Sequence, residues 1–276
     1  MATNAEVLRG AARAPTVGQM NVLVTGGTGI LGRHVVMLLR QSGHRARILS
    51  RQPRGHVDAV QGDLRTGTGL TKAVGGMDVI IHAASATRET MSRRGTDLRG
   101  TRRLLAAARE AKIRHVVYVS IAGIDRVSFG YYRTKLAAEA IVREGMVPWS
   151  ILRATQFHRY VEILLTGFSR VPGVLAVPFA WKIQPVEARE VARRVVDIAL
   201  GEPGGMIPDF GGPEIRDLES LARSWLAARK YRRRLINLWL PFEYSRQFAE
   251  GRLTTPEHKD GMMTFDQYLA EKYGQP

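Results

Sequence analysis

NVLVTGGTGILG, residues 21–32, puts a short apolar run, Val22 to Val24, directly before three glycines spaced three apart, Gly26, Gly29 and Gly32. The run reads as a strand, and the residues from Ile30 to Arg40 read as the helix that follows. In that setting the first glycine permits a tight turn, the second lets the backbone approach a pyrophosphate, and the third lets helix and strand pack closely. A phosphate would then meet amide N–H groups at the positive end of the helix dipole. An ordinary glycine-rich loop could share these letters. Nucleotide binding is favoured by the strand before, the helix after, and the alternation that continues beyond.

That alternation runs along the chain. Ala46 to Ser50 reads as a second strand and Ala59 to Gln61 as a third, entering the turn Gly62-Asp63-Leu64. Asp78 to His82 is a fourth, ending in Ala83-Ala84-Ser85, and Val116 to Val119 a fifth, closing with Ser120. Trp149 to Arg153 and Met206 to Phe210 add two more. Between them lie helical stretches: Leu70 to Val74, Thr96 to Lys112 with Leu98, Leu104, Leu105 and Ala108 on one face, Tyr131 to Glu144, and Glu187 to Leu200. Apolar strands alternating with amphipathic helices predict an α/β fold with a Rossmann-type, doubly wound parallel sheet. Ligands should collect beyond the carboxyl ends of its strands.

The composition narrows the class. The chain has 276 residues, 45% of them hydrophobic, which suffices for a sizeable core. Its net charge of +16 favours anionic partners, among them phosphorylated cofactors, nucleic acid and acidic membrane surfaces. Because the arginines are spread through the helices, solvated surface is the commoner explanation. The absence of cysteine excludes disulfides, thiolate nucleophiles and thiolate metal sites. The most hydrophobic region, Val161 to Trp181, is interrupted by Arg170, Pro172 and Pro178, so no membrane span is expected. Residues 1–19 lack the compact apolar segment of a secretory signal and read as a disordered tail, which leaves a cytoplasmic protein as the expectation. Residues 20–156 are expected to form the dinucleotide-binding domain. Residues 157–276 should form a small, mainly helical substrate-side region packed on it.

Two positions bear on cofactor and chemistry. A site of this type that prefers NAD places Asp or Glu after the second strand to hold the ribose hydroxyls, whereas Arg there accommodates a 2′-phosphate. Here Ser50 is followed by Arg51, which favours NADP(H) over NAD(H), although Arg51 could equally be one more exposed arginine. Further on, Tyr131 and Lys135 are four apart and share a helical face. A cationic Lys stabilises a neighbouring phenolate and makes the Tyr a usable proton donor to a carbonyl being reduced. Such a pair is commonplace on an isolated helix. Its position just after the fifth strand is what gives it weight.

With these residues assembled, the chain resembles the short-chain dehydrogenase/reductases, in their atypical, NmrA-like branch. The matching stretches are TGGTGILG from Thr25, Gly62-Asp63-Leu64, His82-Ala83-Ala84, VVYVSIAG from Val116, YYRTKLAAE from Tyr131, ILRATQFH from Ile151 and GGPE from Gly211. The resemblance implies that Gly26, Thr28, Gly29, Ile30, Leu31 and Gly32 hold the pyrophosphate and Arg51 the adenosine phosphate. Asp63 and Leu64 would meet the adenine, and Ala83, Ala84 and Ser85 the adenosine and ribose side. Lys135 would bond the nicotinamide ribose, and Ala154, Thr155, Gln156 and Phe157 would lie beside the nicotinamide. Tyr131 and Lys135 would act with a serine, Ser120 or, on an uncertain loop, Ser128. Asp63 could instead cap its turn and Phe157 could belong to the core.

An NAD(P)H-dependent oxidoreductase acting on an apolar carbonyl, quinone or related small molecule is the leading expectation. The alternative is an accessory or regulatory protein that binds NADP(H) without turning it over. Phe157, Phe168, Phe179 and Trp181 could wall an apolar pocket or simply pack. A basic helix is expected from Ile215 through Trp225 into Arg229 to Arg234, with no acidic residue after Arg223. Such a helix could meet nucleic acid or an anionic membrane, but a surface helix or a subunit contact in a homodimer is preferred, because no DNA-binding motif accompanies it.

Overall fold

The computed structural model describes residues 18–53, 55, 58–85 and 96–274; the expectation of a disordered tail falls on residues that lie, for 1–17, outside this set. Seven parallel strands make the central sheet: β1 (Asn21–Thr25), β2 (Arg45–Ser50), β3 (Ala59–Gln61), β4 (Val79–His82), β5 (His115–Ile121), β6 (Trp149–Ala154) and β9 (Gly205–Phe210). Their spatial order is β3-β2-β1-β4-β5-β6-β9. The chain winds outward one way from β1 to β3, then returns to β1's other side with β4. The switch point between β1 and β4 therefore lies where the glycine turn ends the first strand.

Five helices cover the sheet. On one face lie α1 (Gly32–Gln41) and α6 (Ala188–Leu200), packing Val35, Val36, Leu39, Val191 and Val195 against Val22, Val24 and Val117. On the other lie α2 (Leu70–Val74), α3 (Thr96–Glu110) and α4 (Gly130–Glu144), with Leu104, Leu105, Ala138 and Val142 against Leu23, Ile80, Val116 and Ile151. The inner strands β1, β4, β5 and β6 are buried on both faces over most of their length, which is why they read as continuous apolar runs. Both β9 and α6 are drawn into this layer from beyond residue 157.

The remaining chain has its own apolar cluster. It holds α5 (His158–Phe168), β7 (Val174–Val177), β8 (Lys182–Ile183), β10 (Arg216–Asp217), α7 (Leu218–Ala228), β11 (Arg234–Asn237), α8 (Glu243–Ala249) and α9 (Phe265–Tyr273). Trp225, Leu165, Leu221 and Phe265 are fully buried at its centre. Phe168, Phe179 and Trp181 pack into this cluster, and the Trp181 indole donates to Ser245 Oγ at 2.9 Å. Of the two readings of these rings, packing is the one observed. Two small sheets, β7 with β11 and β8 with β10, accompany the helices.

The helix expected from Ile215 to Arg234 forms only over Leu218–Ala228, and its basic end is not helical. Asp217 caps α7 by accepting from the Ser220 amide at 2.7 Å, and the helix stops at Ala228. Lys230 takes a left-handed φ of 53°, the Lys230 amide donates to Ala227 O at 2.9 Å, and the Tyr231 amide donates to Leu226 O at 2.9 Å. That pair of bonds closes the last turn as a Schellman motif. The chain then leaves as β11, because Leu235 finds apolar company beside β7. Arg229 stays behind, its guanidinium over the rings of Trp225 and Tyr231.

Candidate dinucleotide and active site

The glycine turn is closed around itself and against β4. Gly26 has φ +72°, and a Cβ on it would lie 2.8 Å from the Ala84 backbone. The Gly29 amide donates to Gly26 O at 2.9 Å, and a Cβ at Gly32 would come within 2.1 Å of the same oxygen. Only glycine fits at Gly26 and Gly32, so the first turn of α1 approaches the end of β1 with no side chain between. That first turn begins at Gly32, two residues later than expected, and carries no acidic residue. The positive end of its dipole suits an anion. A cradle without side chains at a switch point fits the pyrophosphate of a dinucleotide.

Beneath the turn sits a feature the letters did not suggest. His82, at the end of β4, is buried, with Nδ1 2.7 Å from Thr25 Oγ1 and Nε2 3.0 Å from Thr101 Oγ1. The Ala84 amide donates to the same Thr25 oxygen at 3.4 Å. One imidazole thus links β1, β4 and α3 where the strands diverge. Burial, aided by the positive charge of Lys135, pushes its pKa down to about 3, so the ring is neutral. The signal in the sequence was two polar residues, Thr25 and His82, at the ends of apolar runs, and nothing local connects them with Thr101 inside α3.

The adenosine end is open. Arg51, exposed, directly follows β2, whose neighbour β1 delivers the glycine turn. Asp63 uses Oδ1 to accept the Arg65 amide at 2.8 Å, and its own amide donates to Thr68 O at 2.9 Å, so this carboxylate shapes the turn that holds Leu64. Leu64 packs on the apolar cluster beneath α3.

The catalytic candidates meet in part. Tyr131, in the first turn of α4, places its hydroxyl 2.8 Å from Ser85 Oγ, just past β4. Lys135, one helical turn on and buried, donates from Nζ to Val119 O at 3.0 Å and lies 4.2 Å from the centroid of the Tyr118 ring. Ser120 is buried, and its Oγ has no hydrogen-bond partner among the described residues. Ser128 is turned to α8, its amide and Oγ both donating to Gln247 Oε1. Among the described residues, the serine that reaches Tyr131 is Ser85. It was expected on the ribose side of the cofactor, and spacing alone cannot join residue 85 to residue 131.

The turn after β6 is committed elsewhere. Thr155 Oγ1 accepts the Gly212 amide at 3.1 Å, and the Thr155 amide donates to Phe210 O at 3.0 Å. Gln156 donates from Nε2 to Leu253 O at 3.0 Å, while its Oε1 accepts the Gln184 amide at 3.2 Å. Buried Gln184 in turn donates to Gly212 O and His258 O and accepts the Thr255 amide at 2.7 Å. These side chains tie the strand ends to the last part of the chain. Ala154 and Phe157 pack on the core beneath α6. Below Tyr131 and Lys135, on the same helix, Glu139 accepts two hydrogen bonds from Arg153 at 2.9 and 2.8 Å, a buried forked pair that fixes α4 to β6. Among the described residues no cluster could hold a metal ion, and no helix is long and apolar enough to cross a membrane.

Residues 26–160 match the family of NAD(P)H-binding domains. Over 133 residues the chain is 37% identical to a ceramide reductase of Caulobacter vibrioides, covering 44% of this chain and 41% of that one. A (4-alkanoyl-5-oxo-2,5-dihydrofuran-3-yl)methyl phosphate reductase of Streptomyces griseus is 31% identical over 188 residues, 65% of this chain and 63% of its own. The chain thus spans roughly half the length of these relatives. In three dimensions it resembles a short-chain dehydrogenase/reductase superfamily protein from Agrobacterium tumefaciens with bound NAD. The TM-score is 0.67, with 22% identity over 91% of this chain and 95% of the other. At that identity the likeness speaks for the fold. Fold and glycine cradle together define an NAD(P)H-binding protein of the Rossmann type. Residues 26–160 thus carry a domain of the NAD(P)H-binding family, and the NmrA-like, atypical short-chain dehydrogenase/reductase pattern of the sequence fits these findings.

Proposed function

We propose that this chain is an NADP(H)-dependent reductase of an apolar carbonyl, quinone or related small molecule, with Tyr131 as its proton donor. The reading rests on one observation: the Tyr131 hydroxyl is held by Ser85 at 2.8 Å at the carboxyl ends of β4 and β5, on the side where the glycine turn opens. Gly26 to Gly32 would hold the pyrophosphate, Arg51 the 2′-phosphate and Leu64, with Asp63, the adenine edge. Ala83, Ala84 and Ser85 would flank the ribose. Bound NADPH supplies a hydride to the carbonyl carbon.

The chain's own residues do the rest. Tyr131 gives its hydroxyl proton to the carbonyl oxygen as negative charge develops there, and Ser85 Oγ is placed to hold the Tyr131 oxygen and return a proton. Lys135 favours the phenolate that remains. Its bond to Val119 O anchors the ammonium to β5 one turn below the Tyr. The apolar substrate class is supported by the name of the ceramide reductase and by the alkanoyl chain, though on a phosphate ester, in the name of the second relative.

A second reading, NADP(H) binding without turnover, draws on Ser120, whose hydroxyl is buried away from Tyr131. The two are separated by following NADPH oxidation with a panel of long-chain ketones, quinones and aldehydes, using the natural protein and Tyr131→Phe. The enzyme reading expects turnover that collapses in the variant while NADPH binding persists. NADPH binding with no turnover of any panel member would favour the second reading.

A further inference from the structure

The segment that replaces the expected basic helix carries a surface of unusual make-up. From Ser220 to Phe242 there is no acidic residue, while Lys230, Arg232 and Arg234 are exposed. Along β11 the side chains alternate: Leu235 goes into the apolar cluster, and Arg234 and Ile236 face out together. Arg233 is spent internally, its Nη1 donating to Ser169 O and Val171 O at 2.8 and 2.9 Å. It thereby holds a second exposed pair, Arg170 and Val171, beside the strand. Beyond β11 the chain presents Trp239, 79% exposed, and Phe242, 50% exposed, on the approach to α8.

A largely exposed tryptophan and a half-exposed phenylalanine within a few residues of exposed arginines combine apolar rings with positive charge. They suit a bilayer interface, where aromatic rings sit at headgroup depth and arginines meet anionic lipid phosphates. This surface also leads inward. The Phe242 ring stacks on Tyr244 at 5.3 Å, Tyr244 packs on Phe129 at 5.2 Å, Phe129 on Tyr132 at 5.4 Å, and Tyr132 on Tyr131 at 5.6 Å. An unbroken line of rings joins the exposed tip to the candidate proton donor.

We propose that residues 230–242, with the loop at Arg170 and Val171, dock this protein on the surface of an anionic lipid bilayer. Trp239 and Phe242 enter the headgroup layer and Arg232 and Arg234 pair with lipid phosphates. The docking surface stands by itself.

The test uses the full chain and vesicles of phosphatidylcholine, alone or mixed with phosphatidylglycerol, at low and high salt. Co-sedimentation with the mixed vesicles at low salt, weakened by salt and by removing the anionic lipid, is expected. Arg232→Gln with Arg234→Gln should lower the partition by about tenfold or more. Of the four tryptophans, Trp225 and Trp181 are buried and Trp149 is half-buried against the sheet, so a blue shift of tryptophan emission on adding vesicles should come from Trp239 and vanish in Trp239→Ser. All of these side chains are exposed, so NADPH binding and thermal unfolding of the variants should match the natural protein. Absence of vesicle binding at low salt overturns the proposal, as does unchanged binding by Trp239→Ser, or capture by RNA or DNA with none by vesicles. None of these readouts involves turnover, so failure of docking and failure of the reductase reading are seen separately.

Discussion

The hydroxyls of Tyr131 and Ser85 lie 2.8 Å apart, which joins the first turn of α4 to the loop leaving β4. Two segments that the chain separates by α3 and β5 meet at the mouth of the dinucleotide site. If Tyr131 donates the proton, Tyr131→Phe should lower kcat by about a hundredfold or more, and Ser85→Ala by about tenfold, with the NADPH Kd little changed in the first. Stopped-flow NADPH oxidation with any accepted carbonyl, together with a binding titration, reads both quantities. Equal kcat in Tyr131→Phe and the natural protein would remove Tyr131 from the chemistry.

Arg51 follows β2 with no carboxylate beside it in sequence. A charge-assisted hydrogen bond to a 2′-phosphate contributes about 1.5–3 kcal/mol. If Arg51 holds the 2′-phosphate, Arg51→Ala should reduce the ratio of NADPH to NADH affinity by roughly tenfold to a hundredfold, chiefly by weakening NADPH. Fluorescence titration with both cofactors measures the ratio.

His82 and His158 set an acid limit. His158 Nε2 lies 3.0 Å from Met263 O, while its Nδ1 is buried without a partner and the ring stacks on Tyr268. Burial lowers its pKa to about 4 and that of His82 to about 3, whereas a histidine in the unfolded chain protonates near 6.5. Between these values the unfolded chain binds more protons, so stability falls as pH drops from 6.5 towards 4. Thermal melts should show Tm declining through that window. His158→Phe should flatten the slope, and an unchanged slope would contradict the assignment.

Glu162, buried on α5, accepts from Tyr268 and Tyr273 hydroxyls at 2.6 and 2.5 Å and from Lys272. Burial works against its charge, but these donors outweigh it and hold the carboxyl down to about 2. They fasten α9 over α5. Glu162→Gln keeps the shape and removes the charge, and should cost about 2–3 kcal/mol, seen as a Tm lower by roughly 5–10 °C. Limited proteolysis should then cut first near α9.

Lys230 sits in the left-handed region that closes α7. Glycine takes that conformation without strain, so Lys230→Gly should stabilise the fold by about 0.5–1 kcal/mol in chemical denaturation. Lys230→Val should do the reverse.

The sheet was legible because its inner strands are covered on both sides and so write themselves as apolar runs, and because Gly26 and Gly32 admit no other residue. The basic stretch misled because Arg, Lys, Trp and Leu all favour helix locally. Only the pairing of Leu235 with β7, sixty-odd residues earlier, draws it into a strand. The site divides the same way. The glycine turn and the spacing of Tyr131 and Lys135 are local and could be read directly. The partnership of Ser85 with Tyr131, the bridge of His82 to Thr25 and Thr101, and the withdrawal of Ser128 to Gln247 are contacts between distant segments. No periodicity records them.

The tie between Gln156 and Leu253 spans 97 residues, and Gln184 reaches 74 residues onward to His258. A ribosome releases the chain from its amino end, so the glycine turn, Tyr131 and Lys135 all emerge long before the segment that braces the end of β6. For that interval a nascent chain holds a nearly finished nucleotide cradle with an unbraced neighbour. The bracing of the end of β6 is therefore the last part of this neighbourhood that synthesis can complete.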